Sequence, residues 1–215
     1  MKHLSRSKKT ASIVILAVAL LVLDQVTKIL VKTGMHIGES IPVFGEWFQI
    51  LFIENKGMAF GMAFGGDIGK YVLTSLRIVL SVLLLIYVRN LLLKKDAPLG
   101  VLLGLTAIMV GAIGNVLDCM FYGLVFEQST YTHVAGVVPF GEGYAPFGLG
   151  KVVDMLYFPI INTVWPDWVP GKGGEPLIFF RPIFNVADSC VTVGALYLLI
   201  FKWKYFSAHL EDKKK

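Results

Sequence analysis

Two aspartates in apolar surroundings are the residues of this sequence best suited to catalysis. Asp154 lies in the short apolar stretch 151–156, and Asp188 lies near the start of a long apolar stretch. Two neighbouring carboxyl groups do not both ionise readily, so one keeps a proton while the other can accept one from water. Such a pair can direct water onto a peptide carbonyl and then protonate the leaving amine. The two aspartates therefore predict an acid–base pair that cleaves an amide bond without a metal ion or other cofactor.

Further polar side chains occur inside apolar stretches, although a charge at the centre of a bilayer costs about 2.5–3.5 kcal/mol. They form three groups with helical spacing, which are Asp24 with Lys28, Asn115 with Asp118, and Asn185 with Asp188. Each group shares one helix face. The amides can hold the carboxylates or a developing oxyanion. The simpler interpretation of Asp24 and Lys28 is an ion pair that stabilises or orients one helix, and Asn115 and Asp118 can equally cap or join helices.

The composition places these residues in a membrane protein. The chain has 215 residues, of which 55% are hydrophobic and only 16% are charged, whereas soluble domains carry about 25% charged residues. This balance excludes a disordered chain and disfavours a soluble domain. Cys119 and Cys190 lie in apolar stretches and are interpreted as buried free thiols. The sequence contains no basic module interleaved with aromatic residues, so it does not predict nucleic-acid binding. The histidines lack the spacing of metal ligands.

Four apolar segments are long enough to cross a bilayer. They cover about residues 11–31, 71–93, 99–121 and 183–201. The first is interpreted as a retained helix, because no small-residue cleavage site follows it. The sequence thus predicts an all-α membrane protein with a small β element. We expect one integral membrane domain over residues 1–215, with long connections at 32–70 and 122–182.

The distribution of charge predicts the orientation of these spans. Basic residues concentrate in both terminal tails and in the turn between the second and third spans, whereas the two long connections carry more acids than bases. The positive-inside rule therefore places both termini in the cytoplasm and the long connections outside. In that orientation the polar residues of the first, third and fourth spans converge near the outer interface. Residues 47–53 are rich in β-formers and predict a strand at the membrane surface.

Five short motifs occur in the order found in bacterial lipoprotein signal peptidases (signal peptidase II), a family that residues 11–201 resemble. The motifs are Asp24-Gln25-x-x-Lys28, Asn55-x-Gly57-x-Ala59-Phe60, Gly114-Asn115-x-x-Asp118, Val152-Val153-Asp154 and Phe184-Asn185-x-Ala187-Asp188-Ser189. The resemblance implies a four-helix aspartyl endopeptidase with an outer β-cradle. Its substrate would be a prolipoprotein that carries diacylglyceryl, cleaved just before the lipidated cysteine. The resemblance also implies contact with membrane lipid, inhibition by globomycin, and residence in the bacterial cytoplasmic (inner) membrane with the active site near the outer leaflet.

The resemblance assigns roles to individual residues. It implies that Asp154 and Asp188 form the catalytic dyad. The residues implied to support the site or bind substrate are Asp24, Lys28, Asn55, Gly57, Asn115, Asp118, Asn185 and Ala187. The segment 40–66 matches the family's β-cradle and its small interfacial helix, which hold the substrate.

Two features depart from the family pattern. Cys119 stands where the family usually has an arginine, and Arg181 and Lys151 are candidate replacements. Arg77, inside the second span, is interpreted as reaching for the outer interface or pairing locally. Residues 122–150 and 159–179 lengthen the outer connection, either as a lid or wall for the substrate or, more simply, as a tolerated surface insertion.

Two other classes of protein use polar residues inside a membrane. In a small transporter or channel, buried acids relay protons or bind ions. In a structural scaffold, polar residues only join helices. The acids of this sequence cluster at one depth instead of forming a path across the membrane, which disfavours a transporter. Neither alternative cleaves a peptide, so an assay of cleavage separates both from the peptidase.

Overall fold

Helices make up most of the fold in the computed structural model, which describes residues 4–56, 66–94, 97–179 and 181–212. Three long helices come first, namely α1 (Arg6–Gly34), α2 (Gly66–Leu93) and α3 (Leu99–Leu117). A π-helical turn, Asp118–Tyr122, and a short helix, α4 (Gly123–Val125), continue α3. Helices α5 (Val186–Phe201) and α6 (Trp203–Asp212) follow near the C-terminus.

Two antiparallel sheets supply the small β element that the sequence predicted. The strands are β1 (Ser40–Phe44), β2 (Phe48–Asn55), β3 (Val152–Tyr157), β4 (Ile161–Val164), β5 (Pro176–Phe179) and β6 (Ile183–Phe184). The larger sheet has the order β1-β2-β3-β6, and β4 pairs with β5. The strand predicted at residues 47–53 corresponds to β2. Because β6 runs directly into α5, the larger sheet fixes the start of that helix.

Among the described residues, three helices are long and apolar enough to cross a membrane, namely α1, α2 and the continuous helix Leu99–Val125. Large apolar side chains such as Val18 and Leu80 stay exposed on α1 and α2, as expected of surfaces that face lipid. Helix α5 is apolar but has 16 residues, which at about 1.5 Å per residue is shorter than the ~30 Å hydrocarbon layer. The fourth span, predicted over about residues 183–201, stays a prediction. Its first residues form β6, Ile183–Phe184, and the rest coincides with α5.

Helix α3 is the centre of the helical layer and packs against α1, α2 and α5. Glycines bring α3 and α5 close together. A Cβ atom added at Gly111 would clash with the backbone carbonyl oxygen of Ala187, and one added at Gly104 would lie 2.6 Å from Leu198 Cδ2. Small residues permit close approach of this kind between membrane helices.

An apolar cluster lies between the larger sheet and the helices. Its buried members are Met35, Phe52, Tyr122, Phe126, Val153 and Met155. These residues connect the end of α1, strands β2 and β3, and the π-helical turn after α3. Cys119 and Cys190 are both buried and free, which confirms the interpretation of the two cysteines.

Residues 126–151 pack onto the helical turn that follows α3. The backbone N–H of Gly150 donates to the carbonyl of Cys119, and that of Ala145 donates to the carbonyl of Gly123, both at 2.9 Å. Ser129 and Ala135 are each only 1% exposed. Buried residues therefore anchor this part of the outer connection to the fold, whereas others such as Tyr131 and Phe140 stay exposed. Its role, as a lid or wall or as a tolerated insertion, stays a prediction.

The contact between α3 and α5 predicts the effect of enlarging Gly111. Gly111→Ala is expected to lower the midpoint of thermal unfolding in detergent micelles, because the two helices must separate to admit the methyl group. Overpacking of this kind costs about 1–3 kcal/mol. Gly34→Ala is the matched control, since an added Cβ there meets nothing within 4 Å. An unchanged midpoint for Gly111→Ala would contradict the close approach.

Candidate active site

Asp154 lies on strand β3, on the face of the sheet that points towards α5. Its partner in the strand register is Ile53 of β2. Asp154 is 4% exposed, and its carboxyl group accepts two hydrogen bonds. Asn55 Nδ2 lies 3.2 Å from Oδ2, and Asn185 Nδ2 lies 2.8 Å from Oδ1. The sheet therefore holds Asp154 in a largely dry position between two amide donors.

Asp188 lies in the first turn of α5, where it takes part in the cap of that helix. The Asn185 side chain accepts from the backbone N–H of Asp188 at 2.9 Å, and the backbone N–H of Asn185 donates to Asp188 Oδ2 at 3.4 Å. This reciprocal capping box satisfies two donors that the start of a helix otherwise leaves unpaired. The other carboxylate oxygen, Oδ1, accepts from Asn115 Nδ2 at 2.7 Å.

Two amides connect the carboxyl groups to each other. Asn185 Nδ2 lies 3.1 Å from Asn115 Oδ1, so Asn185 contacts Asp154 while Asn115 contacts Asp188. Asn185 is fully buried. The structure thus brings both predicted catalytic residues and both predicted amide donors into one hydrogen-bonded network.

The two carboxyl groups occupy different environments. The pKa of Asp154 is raised to about 7, first by burial and then by the charge of Asp188. Hydrogen bonds from Asn55 and Asn185 oppose this rise because they stabilise the ionised form. Asp188 is partly exposed. Asp154 is therefore the carboxyl group suited to keep a proton near neutral pH.

Beneath the carboxyl pair, Lys28 is fully buried between two acids. Its Nζ lies 2.9 Å from Asp24 Oδ2 and 2.8 Å from Asp118 Oδ2. Lys28 also donates to Asn115 Oδ1 at 3.0 Å. Because an ammonium group can only donate, this contact fixes the oxygen of the Asn115 amide towards α1 and leaves its nitrogen for Asp188. The predicted intrahelical pair of Asp24 and Lys28 is present, and it extends to α3.

Asp24 connects α1 to the start of α5 as well. Its Oδ1 accepts from the backbone N–H of Ala187 at 2.8 Å. Gly114 leaves room for this carboxylate, because a Cβ there would lie 2.6 Å from Asp24 Oδ2. Ala187 therefore contributes its backbone N–H to this network.

Three residues of the polar network were not predicted as site residues. Gln25 Nε2 lies 3.0 Å from both Asp24 Oδ2 and Asp118 Oδ1, although Gln25 stands in a motif. Lys32 and Glu54 form a buried ion pair. The spacing of Lys32 carried a usable signal, since it lies four residues after Lys28 and shares its helix face. Glu54 carried no such signal, because its partners come from distant segments.

The remaining predictions concern Gly57, the interfacial helix and the cation that would replace the arginine absent at position 119. Gly57 and the interfacial helix expected before residue 66 lie outside the described residues, apart from the start of α2. Lys151, a candidate replacement for the arginine absent at position 119, pairs with Glu54 at 2.8 Å. Arg77 Nη1 lies 3.6 Å from Cys119 Sγ, so the cation next to Cys119 comes from α2.

Comparison with known proteins agrees with this fold. The family model for signal peptidase (SPase) II matches residues 16–204. A lipoprotein signal peptidase of Porphyromonas gingivalis is 43% identical over 211 residues, which cover 98% of this chain and 91% of the relative. One of Amoebophilus asiaticus is 33% identical, over 87% of this chain and 75% of the relative. A solved bacterial membrane enzyme has a similar fold, with a TM-score of 0.59, 24% identity, and coverage of 92% of this chain and 91% of that one.

The apolar helices and these matches together define a membrane-bound protease. The chain belongs to the signal peptidase II family.

Loss of the Lys28 cation predicts a large loss of stability. Lys28→Met leaves Asp24 and Asp118 buried without their cation, and breaking a buried pair in this way costs about 3–5 kcal/mol. We expect a lower midpoint of thermal unfolding in micelles, with partial recovery in Lys28→Met/Asp118→Asn because one buried charge is removed. Lys8→Met, at an exposed position of the same helix, is the control. A Lys28→Met midpoint equal to the control would show that the ion pair is dispensable.

Proposed function

We propose that this protein is an aspartyl endopeptidase that cleaves the signal peptide from diacylglyceryl-modified prolipoproteins just before the lipidated cysteine. The family relationship supports the substrate class. The observation that carries the aspartyl mechanism is the joining of Asp154 and Asp188 by Asn185 and Asn115, in environments of unequal burial. A polar network that only joined helices would not require two carboxyl groups in one hydrogen-bonded network at the junction of a sheet and a helix.

In the proposed reaction, Asp154 begins protonated and Asp188 begins as the carboxylate. Asp188 takes a proton from water as the water oxygen attacks the scissile carbonyl carbon, and Asp154 donates its proton to the carbonyl oxygen. The resulting tetrahedral intermediate collapses when Asp188 passes its proton to the leaving nitrogen. The carbon–nitrogen bond then breaks, and a hydroxyl proton of the intermediate returns to Asp154. Both aspartates regain their initial states, and one water is consumed.

Hydrogen bonds from the amides help the two carboxyl groups to keep their different roles during this cycle. Asn115 donates to Asp188, and its own orientation is fixed by Lys28. Asn55 and Asn185 donate to Asp154 and limit how firmly it holds its proton. These contacts preorganise the charges that the reaction requires, which avoids reorganisation during the chemical step.

The proposal includes a placement in the membrane. We place the enzyme in the bacterial inner membrane as one domain with four spans, α5 being the fourth, and with both termini in the cytoplasm. The carboxyl pair then lies near the outer leaflet, where a lipid-bearing cysteine can approach from the bilayer. Exposed apolar side chains on α1 and α2 support contact with lipid. Globomycin is the expected inhibitor, acting by blocking the carboxyl pair.

Replacing either catalytic carboxyl group tests the mechanism. Asp154→Asn and Asp188→Asn are each expected to abolish cleavage of a diacylglyceryl-modified precursor in a gel-shift assay, because the amide can neither take a proton from water nor donate an acidic one. Their thermal unfolding should stay close to that of the wild type. Asp67→Asn, at an exposed position of α2, is the matched control and should cleave normally. Full processing by Asp188→Asn would overturn the assignment of the pair.

The raised pKa of Asp154 predicts a pH dependence. Since this group must be protonated, kcat/KM is expected to fall as the pH rises through about 7. Asn55→Ala removes a hydrogen bond that favours the ionised form, so the pKa should rise and the fall should move to higher pH. The measurement is kcat/KM against pH for both proteins. A shift to lower pH in Asn55→Ala would contradict the proposed protonation of Asp154.

A further inference from the structure

The paired strands β2 and β3 have two faces of different chemistry. Ile53 pairs with Asp154, and Glu54 pairs with Val153. Because side chains alternate along a strand, Asn55 and Asp154 point to the active-site face. Glu54 and Val153 point to the opposite face. The strand pair therefore has an acidic side chain on each face, Asp154 on the active-site face and Glu54 on the opposite face.

Glu54 lies between two ammonium groups on that opposite face. Lys32 Nζ lies 2.5 Å from Glu54 Oε1, and Lys151 Nζ lies 2.8 Å from Oε2. The side chains of Lys32, Glu54 and Lys151 are 0%, 3% and 18% exposed. Although burial opposes ionisation, the two ammonium groups hold the pKa of Glu54 below its usual value. We refer to Lys32, Glu54 and Lys151 as the back-face cluster.

Residues 126–151 close the back-face cluster. Ser129 Oγ lies 3.0 Å from Lys32 Nζ and 3.2 Å from Glu54 Oε1. The Tyr144 ring lies 4.9 Å from Lys32 Nζ and 5.2 Å from Lys151 Nζ. A desolvated cation gains from such contact with an aromatic face. The end of α1, strand β2 and the outer connection therefore meet at one buried carboxylate.

We infer that the back-face cluster positions Asn55 and Asp154 for the reaction, so that Glu54 is a positioning residue of the active site. The inference rests on the proposed function. Glu54 precedes Asn55, whose amide donates to Asp154, and Lys151 immediately precedes strand β3. The ion pair between Glu54 and Lys151 holds the two strands together from behind. It thereby fixes the distance between Asn55 and Asp154 in front.

Stability alone is a weak explanation for this cluster. A buried ion pair seldom stabilises a protein more than apolar residues of similar volume would, because desolvation offsets the attraction between the charges. In some proteins, buried ionic groups are instead retained because they favour one specific arrangement. A cluster of this kind next to a catalytic strand therefore favours a geometric role.

Kinetics of Glu54→Gln test the inference. We expect kcat for cleavage of the diacylglyceryl-modified precursor to fall about tenfold or more while KM changes little, because a small misplacement affects the reacting groups more than binding. Glu127→Gln is the control, since Glu127 lies in the outer connection that closes the cluster but is 44% exposed. Its kcat should equal that of the wild type. An unchanged kcat in Glu54→Gln would overturn the inference.

A double-mutant cycle identifies the route of the effect. If Glu54 acts through the contact between Asn55 and Asp154, Glu54→Gln/Asn55→Ala should lose no more activity than Asn55→Ala alone. Losses that multiply would show that Glu54 acts elsewhere, and would overturn the inference. If the wild type is active and Asp188→Asn is inactive, losses that multiply in the double variant leave the proposed function intact. A wild type that cleaves no precursor would overturn both the proposed function and the inference.

A third variant separates positioning from stability. Glu54→Gln leaves the buried Lys32 ammonium without its anion, whereas Lys32→Met/Glu54→Gln removes both charges. We expect this double variant to recover the midpoint of thermal unfolding relative to Glu54→Gln, while kcat stays low because the ion pair behind the strands is still absent. Recovery of kcat together with the midpoint would reduce the cluster to a stabilising element and overturn the inference.

Discussion

The arrangement of the helices depends on the need to neutralise one buried ammonium group. Lys28 is fully buried and can remain charged only beside anions, which Asp24 and Asp118 provide from α1 and from the turn after α3. Asp24 also binds the backbone of Ala187 at the start of α5. Three helices are therefore fixed around a single cation. The same cation orients the Asn115 amide, so the charge balance of the interior sets the direction of a hydrogen bond to Asp188.

The carboxyl pair is divided between two structural layers, and this division explains the need for a sheet. Asp188 belongs to a helix and Asp154 to a strand, so neither layer alone contains the site. Strand β6 pairs with β3 through Leu156 and Phe184, and the residue after it, Asn185, caps α5. Asn185 can therefore reach Asp154 on the sheet while it starts the helix that carries Asp188.

The features that local sequence encodes were predicted well, and those that depend on distant contacts were not. Apolar length predicted α1, α2 and the helix after residue 99, and composition predicted β2. The predicted fourth span included residues 183 and 184, which form β6, because apolar residues serve a strand as readily as a helix. Strand β3 and the buried position of Glu54 depend on pairing between segments about a hundred residues apart, which no short pattern records. For the same reason, no short pattern records the contacts that residues 126–151 make with Lys32 and with the helical turn after α3.

The capping box of α5 makes the position of Asp188 depend on the folding of that helix. Asp188 has its place only when the first turn of α5 has formed, since the same carboxylate accepts from the backbone of Asn185. Asn185 in turn meets Asp154 only when that helix has docked on the sheet. A newly made chain whose last apolar segment has not yet assembled thus lacks a working pair of acids. For a protease of the proposed mechanism, the two carboxyl groups therefore come together only in the folded chain.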